Sequence, residues 1–217
     1  MGVPESLRSL AAGLGEDSVL SEAFRTRRFG PEEISSSREA AVLVLLTDEP
    51  DPEVVLIERA AGMRKHAGQI AFPGGAVDPG ETAEEAALRE AWEEVGLDAS
   101  SVTLLGRLPA ARIPVSAFHV HAVVAYWSGE GSLVPHEAEV AQVLLVRVSA
   151  LVDPANRSSW RHSSGRVGPG FEVQDLYVWG FTAYVLDAVL TAGGWTLPWD
   201  EARFLEIPSR FLPDIRP

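Results

Sequence analysis

The sequence predicts an α/β fold in which a mixed β-sheet is sandwiched between helices. The continuous apolar run at 40–46 has the length of a buried strand, and 118–127 resembles a further strand. A helix is predicted to begin just after Thr82, and another over 178–192, where apolar residues recur at threes and fours. Strands and helices thus alternate along 217 residues, a length that suits one domain.

Composition narrows the class of protein. Hydrophobic residues make up 46% of the chain, which is enough for a proper core. The net charge of −13 argues against nucleic acid or an anionic membrane as the main partner, because both attract basic surfaces. Cysteine is absent, which excludes disulfides and thiolate chemistry. The first residues resemble no secretory signal and no apolar run is long enough to span a membrane, so we expect a cytoplasmic protein.

The remaining elements follow in chain order. Residues 1–37 are predicted to form a helical extension, with helical spacing at Leu7, Leu10, Leu14, Leu20 and Phe24. Residues 40–59 are predicted to form a hairpin, and further strands are expected at 102–108 and 118–127. Residues 137–150 are predicted to form a strand that runs into a short helical turn. The segment 153–175 is either a hairpin or a mobile loop. The main domain is predicted to cover 38–195, with the tail 196–217 packed on it.

The stretch 75–97 is the most informative part of the chain. It carries a single arginine and seven acidic residues: Asp78, Glu81, Glu84, Glu85, Glu90, Glu93 and Glu94. Thr82 and Glu85 have the spacing of a capping box, which marks a helix start. Gly96 can adopt the left-handed conformation that ends a helix.

Glu90, Glu93 and Glu94 are spaced so that all three carboxylates lie close together on one face of this helix. Like charges at that spacing repel each other, and a hard divalent cation such as Mg²⁺ reverses the cost. The alternative interpretation is a solvated acidic helix with no ligand.

The surroundings favour the metal interpretation. An apolar run at 70–72 leads into Pro73, Gly74 and Gly75, and an acidic loop then leads into the capped helix. This stretch resembles the conserved box of the Nudix hydrolases. The matching positions are Gly75, Glu81, Arg89, Glu90, Ala91, Trp92, Glu93, Glu94, Val95, Gly96 and Leu97. The resemblance implies a Nudix-type α/β/α sandwich and the hydrolysis of a nucleoside diphosphate linked to another group.

A second motif precedes this Nudix box and resembles the signature of the coenzyme A pyrophosphatase branch. It consists of Arg59, Ala60, Arg64, Gly68 and the run 72–75. The usual opening Leu-Leu-Thr is replaced by Val55, Leu56 and Ile57, so the threonine hydroxyl is missing. Weaker similarities to the same branch lie at 38–43, 137–140 and 179–183.

The resemblance implies roles for individual residues. The metal ligands are expected to be Glu90 and Glu94, with Glu93 next and the Gly74 carbonyl as a further donor. The catalytic set is expected to comprise Glu81, Arg89, Glu90 and Glu93, with Arg89 holding a glutamate such as Glu81 rather than touching substrate. The general base is left open among Glu90, Glu93, Glu137 and Glu139.

Substrate contacts are expected from Arg59, Arg64, Gly74 and Gly75, the alternative for the arginines being structural or exposed ion pairs. His66 is a weaker candidate and is more simply a local hydrogen-bonding residue. A basic island could reach the 3′-phosphate of coenzyme A, or could be an exposed hairpin: Arg157, Arg161, His162 and Arg166. Trp179 and Phe181 are expected to pack in the core.

The resulting functional prediction is a diphosphatase dependent on Mg²⁺ or Mn²⁺ that cleaves coenzyme A or its thioesters. The products would be 3′,5′-ADP and 4′-phosphopantetheine or its acyl form. The alternatives are a Nudix hydrolase of ADP-ribose, NADH or another dinucleotide, and a silent nucleotide-binding module. A homodimer is expected by analogy with the family.

Overall fold

The computed structural model describes residues 2–14, 38–63, 66–113, 118–162, 165–173 and 175–209. Within these ranges, the larger of two β-sheets carries a long helix on one face. Its other face shares a hydrophobic core with the smaller sheet and a second long helix. The predicted α/β/α sandwich with a mixed sheet is therefore confirmed.

The larger sheet contains eight strands: β1 (Arg38–Thr47), β2 (Glu53–Arg59), β3 (Ile70–Ala71), β4 (Gly74–Ala76), β5 (Val102–Arg107), β6 (Ala111–Ile113), β7 (Phe118–Trp127) and β8 (Val140–Arg147). Strands β1 and β7 run parallel along their whole lengths, and the other pairings are antiparallel. Central strand β1 is apolar on both sides because both faces of the sheet are covered.

The hairpin predicted over 40–59 forms only at its closed end. Strands β1 and β2 meet at Leu46 and Val54, and β2 then pairs along its length with β8. The edge of β1 that β2 leaves free is taken by β4, whose Gly74 pairs with Val42. This exchange of partners brings the glycine turn of the Nudix box onto the central strand.

The smaller sheet has the strand order β11, β10, β9, β12. Its strands are β9 (Arg157–Arg161), β10 (Val167–Val173), β11 (Leu176–Val178) and β12 (Phe204–Leu205). The antiparallel pairing of β9 with β10 shows that the segment around 153–175 forms the hairpin rather than an irregular loop. Strand β12 attaches the described part of the tail to β9.

Four α-helices lie in the described part of the chain: α1 (Arg8–Gly13), α2 (Ala83–Val95), α3 (Val148–Val152) and α4 (Gly180–Ala192). Helix α2 has the predicted capping box, and Gly96 ends it in the left-handed conformation with φ of 68°. Helix α4 begins after 178, because 176–178 belongs to β11. None of these helices is both long enough and apolar enough to cross a membrane.

Two apolar clusters divide the core across the larger sheet. Leu43 and Leu45 of β1 face α2, whereas Val44 and Leu46 face α4 and the smaller sheet. This alternation follows from the two-residue period of a strand. Helix α1 and the residues that flank it contribute three leucines, at 7, 10 and 14, to the cluster that contains Val44 and Leu46. The predicted helical positions Leu20 and Phe24 lie outside the described residues.

The predicted basic island is not one functional unit. Arg157 is 2% exposed, donates a hydrogen bond of 2.6 Å to Asp187 on α4, and stacks over Phe171 and Trp199. The suggestion that it reaches a substrate phosphate is therefore wrong, because its guanidinium is enclosed by core aromatics. Arg161 stacks on Phe204 of β12.

We predict that replacing Arg157 by alanine lowers the free energy of unfolding by about 3–5 kcal/mol, because Asp187 loses its charged partner and the aromatic rings lose their packing. Urea unfolding of the purified variants measures this change. The matched control is Arg147→Ala, which removes an exposed ion pair with Glu53 and should cost less than about 1 kcal/mol. Equal losses in the two variants would contradict the structural role of Arg157.

Candidate active site

The centre of the site is the contact between α2 and the glycine turn at β4. The Gly74 amide donates a hydrogen bond of 2.9 Å to Oε2 of Glu94. A Cβ atom on Gly75 would lie 2.3 Å from Oε1 of Glu90, and one on Gly74 would lie 2.3 Å from the Ala41 carbonyl oxygen. Gly74 therefore requires glycine, since the added atom would overlap the backbone of β1, whereas a side chain at Gly75 would displace the Glu90 carboxylate.

Arg89 connects the acidic loop to the helix through four hydrogen bonds. Its Nε and Nη2 donate to the two carboxylate oxygens of Glu81 at 2.9 and 3.0 Å. Its Nη1 donates to Glu90 Oε1 at 2.9 Å, and Nη2 also donates to the Ala76 carbonyl at 3.0 Å. The hydrogen bond from Arg89 lowers the pKa of Glu81. The predicted Arg89–Glu81 pair is present, and it fixes the position of Glu90.

Glu94 is the most deeply buried carboxylate of the site, with 2% of its side chain exposed. Its pKa is raised to about 7, mainly by burial, and the nearby carboxylates of Glu90 and Glu139 contribute to this rise. The Gly74 amide and the Arg59 guanidinium act in the opposite direction. The fold thus places a carboxylate where its charge is poorly compensated by the protein alone.

The other two predicted ligands differ in exposure. Glu90 is 16% exposed, and burial raises its pKa against the opposing hydrogen bond from Arg89. Glu93 is 48% exposed and lies at the rim, with Oε2 3.5 Å from Nη1 of Arg89. The structure therefore brings Glu90 and Glu94 to the turn together, and leaves Glu93 beside them but towards solvent.

Glu139 joins the site from the segment before β8. Its charge raises the pKa of both Glu90 and Glu94, whereas Glu137 is not among the residues that act on these two groups. The segment is held to the site by backbone hydrogen bonds, one from the His136 amide to the Glu94 carbonyl and one from the Ala60 amide to the Glu139 carbonyl. Sequence could not choose between the two glutamates, although Glu139 directly precedes the buried strand.

Of the predicted substrate contacts, Arg59 and the two glycines converge on α2. Arg59 ends strand β2, and its Nη1 lies 3.5 Å from Oε1 of Glu94. Arg64 lies outside the described residues. His66 forms a local hydrogen bond of 3.0 Å with the Gln69 side chain, as the simpler interpretation expected.

The donor set fits a hard divalent cation. Glu90 and Glu94 both offer carboxylate oxygens at the turn. Burial is the main cause of the raised pKa of each, and the charge of Glu90 contributes to the raised pKa of Glu94. Among the described residues, no three acidic, histidine or cysteine side chains converge closely enough to hold a metal as they stand. Internal partners currently engage the two carboxylates, namely Arg89, Arg59 and the Gly74 amide.

The site is thus a capped acidic helix packed on a glycine turn in an α/β/α sandwich. The chain belongs to the Nudix family, since the NUDIX domain matches residues 37–170. It is 39% identical over 163 residues to an uncharacterized Nudix hydrolase NudL of Pectobacterium atrosepticum, covering 70% of this chain and 81% of that protein.

Two further relatives agree with this assignment. Nudix hydrolase 3 of Caenorhabditis elegans is 30% identical over 176 residues, which cover 72% of this chain and 73% of that protein. The crystal structure of a MutT protein from Methanosarcina mazei has a TM-score of 0.50 at 17% identity, and covers 74% of this chain and 96% of that one. The latter similarity concerns the fold alone.

Family membership establishes the general activity. The protein is a hydrolase of diphosphate linkages and acts on small nucleotide derivatives. Nudix hydrolases generally use divalent cations such as Mg²⁺ or Mn²⁺.

We predict that Gly75→Ala lowers the turnover of diphosphate substrates about a hundredfold, because the added methyl group displaces the Glu90 carboxylate. Steady-state kinetics with coenzyme A and ADP-ribose would measure the loss. Gly62→Ala is the control, since a Cβ at Gly62 meets nothing within 4 Å. Retention of full activity in the Gly75 variant would contradict the close approach of Gly75 and Glu90.

We also predict a specific pH dependence in the metal-free protein. The folded state raises the pKa of Glu94 from its usual 4.5 to about 7, so it binds this proton more tightly than the unfolded chain. Stability is therefore lost as pH rises from about 4.5 through about 7, by up to about 3 kcal/mol. The measurement is urea unfolding in EDTA, with Glu94→Gln as the reference. An unchanged difference between the two proteins over this range would exclude the shift.

Proposed function

We propose that the protein hydrolyses the diphosphate linkage of coenzyme A or its thioesters. The products are 3′,5′-ADP and 4′-phosphopantetheine or its acyl form. This proposal narrows the diphosphatase activity of the family to one substrate class. It draws on the motif upstream of the Nudix box, whose described positions include Arg59, Gly68 and the turn 72–75.

One observation carries the proposal: the ion pair between Arg59 and Glu94. It joins the defining arginine of the upstream motif to a carboxylate of the Nudix box, although the two residues belong to different elements. The loop that follows Arg59 returns to it, because the Gly68 amide donates to the Arg59 carbonyl and the Arg59 amide donates to Gln69. Arg59, Gly68 and Gln69 thus form one structural unit beside the box carboxylates, which supports a shared substrate.

The proposed division of labour follows exposure and contacts. Glu90 and Glu94, assisted by Glu93, would hold Mg²⁺ or Mn²⁺, which neutralises diphosphate charge and activates a water when bound. Arg89 and Glu81 orient Glu90 through the hydrogen bonds described above. Among the four candidate bases we favour Glu139, because its charge raises the pKa of both Glu90 and Glu94 and it comes from a separate element. Its carboxylate would accept the proton of the attacking water.

The alternative substrates are ADP-ribose, NADH or another dinucleotide. They would use the same box carboxylates, and would leave the upstream motif without its expected partner. A silent nucleotide-binding module is disfavoured because Glu81, Glu90, Glu93 and Glu94 are all retained. By analogy with the family, we also propose that the protein is a homodimer.

The decisive test is a product assay with coenzyme A, ADP-ribose and NADH in parallel, in the presence of Mg²⁺ or Mn²⁺. We expect 3′,5′-ADP and 4′-phosphopantetheine from coenzyme A, with little turnover of the other two compounds. In Glu94→Gln the rate should fall at least about a hundredfold, because the most buried carboxylate loses its charge. Cleavage of ADP-ribose or NADH with coenzyme A untouched would refute the substrate assignment and retain the family chemistry.

A further inference from the structure

Arg59 is held in place by more contacts than a surface arginine requires. A β-bulge lies between Glu58 and Arg59, where the pairing with β8 shifts by one residue. The backbone of Arg59 is also clamped by the following loop, through hydrogen bonds of 3.0 Å to the Gln69 carbonyl and 2.9 Å from the Gly68 amide. Bulges beside active sites commonly redirect a side chain. Here the bulge and the clamp direct the guanidinium towards α2.

The guanidinium itself uses few of its hydrogen-bond donors. Its contact with Glu94, at 3.5 Å, is longer than a strong charge-assisted hydrogen bond. Only 19% of the side chain is exposed, and its buried Nε atom has no hydrogen-bond partner. By contrast, Arg89 on α2 has a structural role, and its guanidinium donates four hydrogen bonds. A buried donor without a partner is costly. Arg157 also has a buried Nε without a partner, but aromatic rings cover its guanidinium, whereas the guanidinium of Arg59 lies beside a carboxylate of the site, where a ligand can meet it.

We propose that Arg59 serves two anions in turn. In the cation-free enzyme it is the counter-ion of Glu94, and once a divalent cation binds Glu94, the guanidinium is released to bind the diphosphate of the substrate. The Nε atom and the forked Nη atoms then donate to phosphate oxygens, a geometry that arginine supplies and lysine does not. This inference rests on the proposed function in one respect, that a diphosphate group binds next to α2.

If Arg59 passes from Glu94 to the diphosphate, its removal should have an effect that a purely structural role would not produce. A cation at Glu94 must compete with the positive charge of Arg59, so removing that charge strengthens cation binding. The same change removes a donor of charge-assisted hydrogen bonds to the diphosphate, so it weakens binding of the substrate. The two affinities therefore move in opposite directions. An arginine that merely supported Glu94 would weaken both when it is removed.

The experiment measures two affinities by isothermal titration calorimetry. The first is for Mn²⁺ alone, and the second is for α,β-methylene-ADP, an inert diphosphate analogue, at saturating Mn²⁺. The variants are Arg59→Gln, which removes the charge, and Arg59→Lys, which retains it without the fork. The matched control is Arg107→Gln, which removes an exposed ion pair with Glu84 near the start of the same helix.

For Arg59→Gln we expect the affinity for Mn²⁺ to rise on the order of tenfold. Its affinity for the analogue should fall about ten- to a hundredfold, the range for hydrogen bonds to charged groups. Arg59→Lys should keep wild-type Mn²⁺ binding and lose part of the analogue affinity, while Arg107→Gln should change neither. Unchanged or weaker Mn²⁺ binding in Arg59→Gln, or unchanged analogue binding, would overturn the proposal. Because neither probe contains coenzyme A, failure of the coenzyme A assignment alone would leave this result intact.

Discussion

The site depends on the burial of one carboxylate against a backbone turn. Glu94 is almost fully enclosed where α2 packs on the central strand, and its one backbone hydrogen bond comes from Gly74. Enclosing a charge with so little compensation is unfavourable, and it occurs here because the helix approaches the sheet closely. Alanines line that contact at four positions, 83, 86, 87 and 91. The small alanine side chains allow the close packing that buries Glu94 and raises its pKa.

Packing gives different environments to glutamates that the helix presents side by side. Glu94 is enclosed, Glu90 is partly covered and held by Arg89, and Glu93 lies at the rim. A buried carboxylate binds a hard cation because the cation replaces lost solvation, whereas an exposed one is already solvated by water. Glu139 adds a further negative charge from outside the helix. Exposure to solvent therefore increases from Glu94 through Glu90 to Glu93 on one face of the helix.

Three arginines illustrate how the same side chain serves different purposes. Arg89 donates to several fixed acceptors and holds the acidic loop against the helix. Arg157 lies in the core, where aromatic rings and Asp187 compensate its charge. Arg59 is constrained in its backbone but has unused donors in its guanidinium. Arg59 and Arg157 each have a buried Nε without a hydrogen-bond partner, so it is the surroundings of the guanidinium that distinguish them: aromatic rings cover Arg157, whereas Arg59 lies beside a carboxylate of the site.

The sequence by itself determined the capped helix from Thr82 to Gly96 and the Nudix box, because capping and i, i+4 spacing are local properties. It also predicted the central strand and the Arg89–Glu81 pair. Only the tertiary structure decided that β2 leaves β1 for β8, that the charge of Glu139 raises the pKa of Glu90 and Glu94, and that Arg157 is buried. These features depend on contacts between distant segments, and sequence periodicity reports which face of an element is apolar but not which partner will cover it.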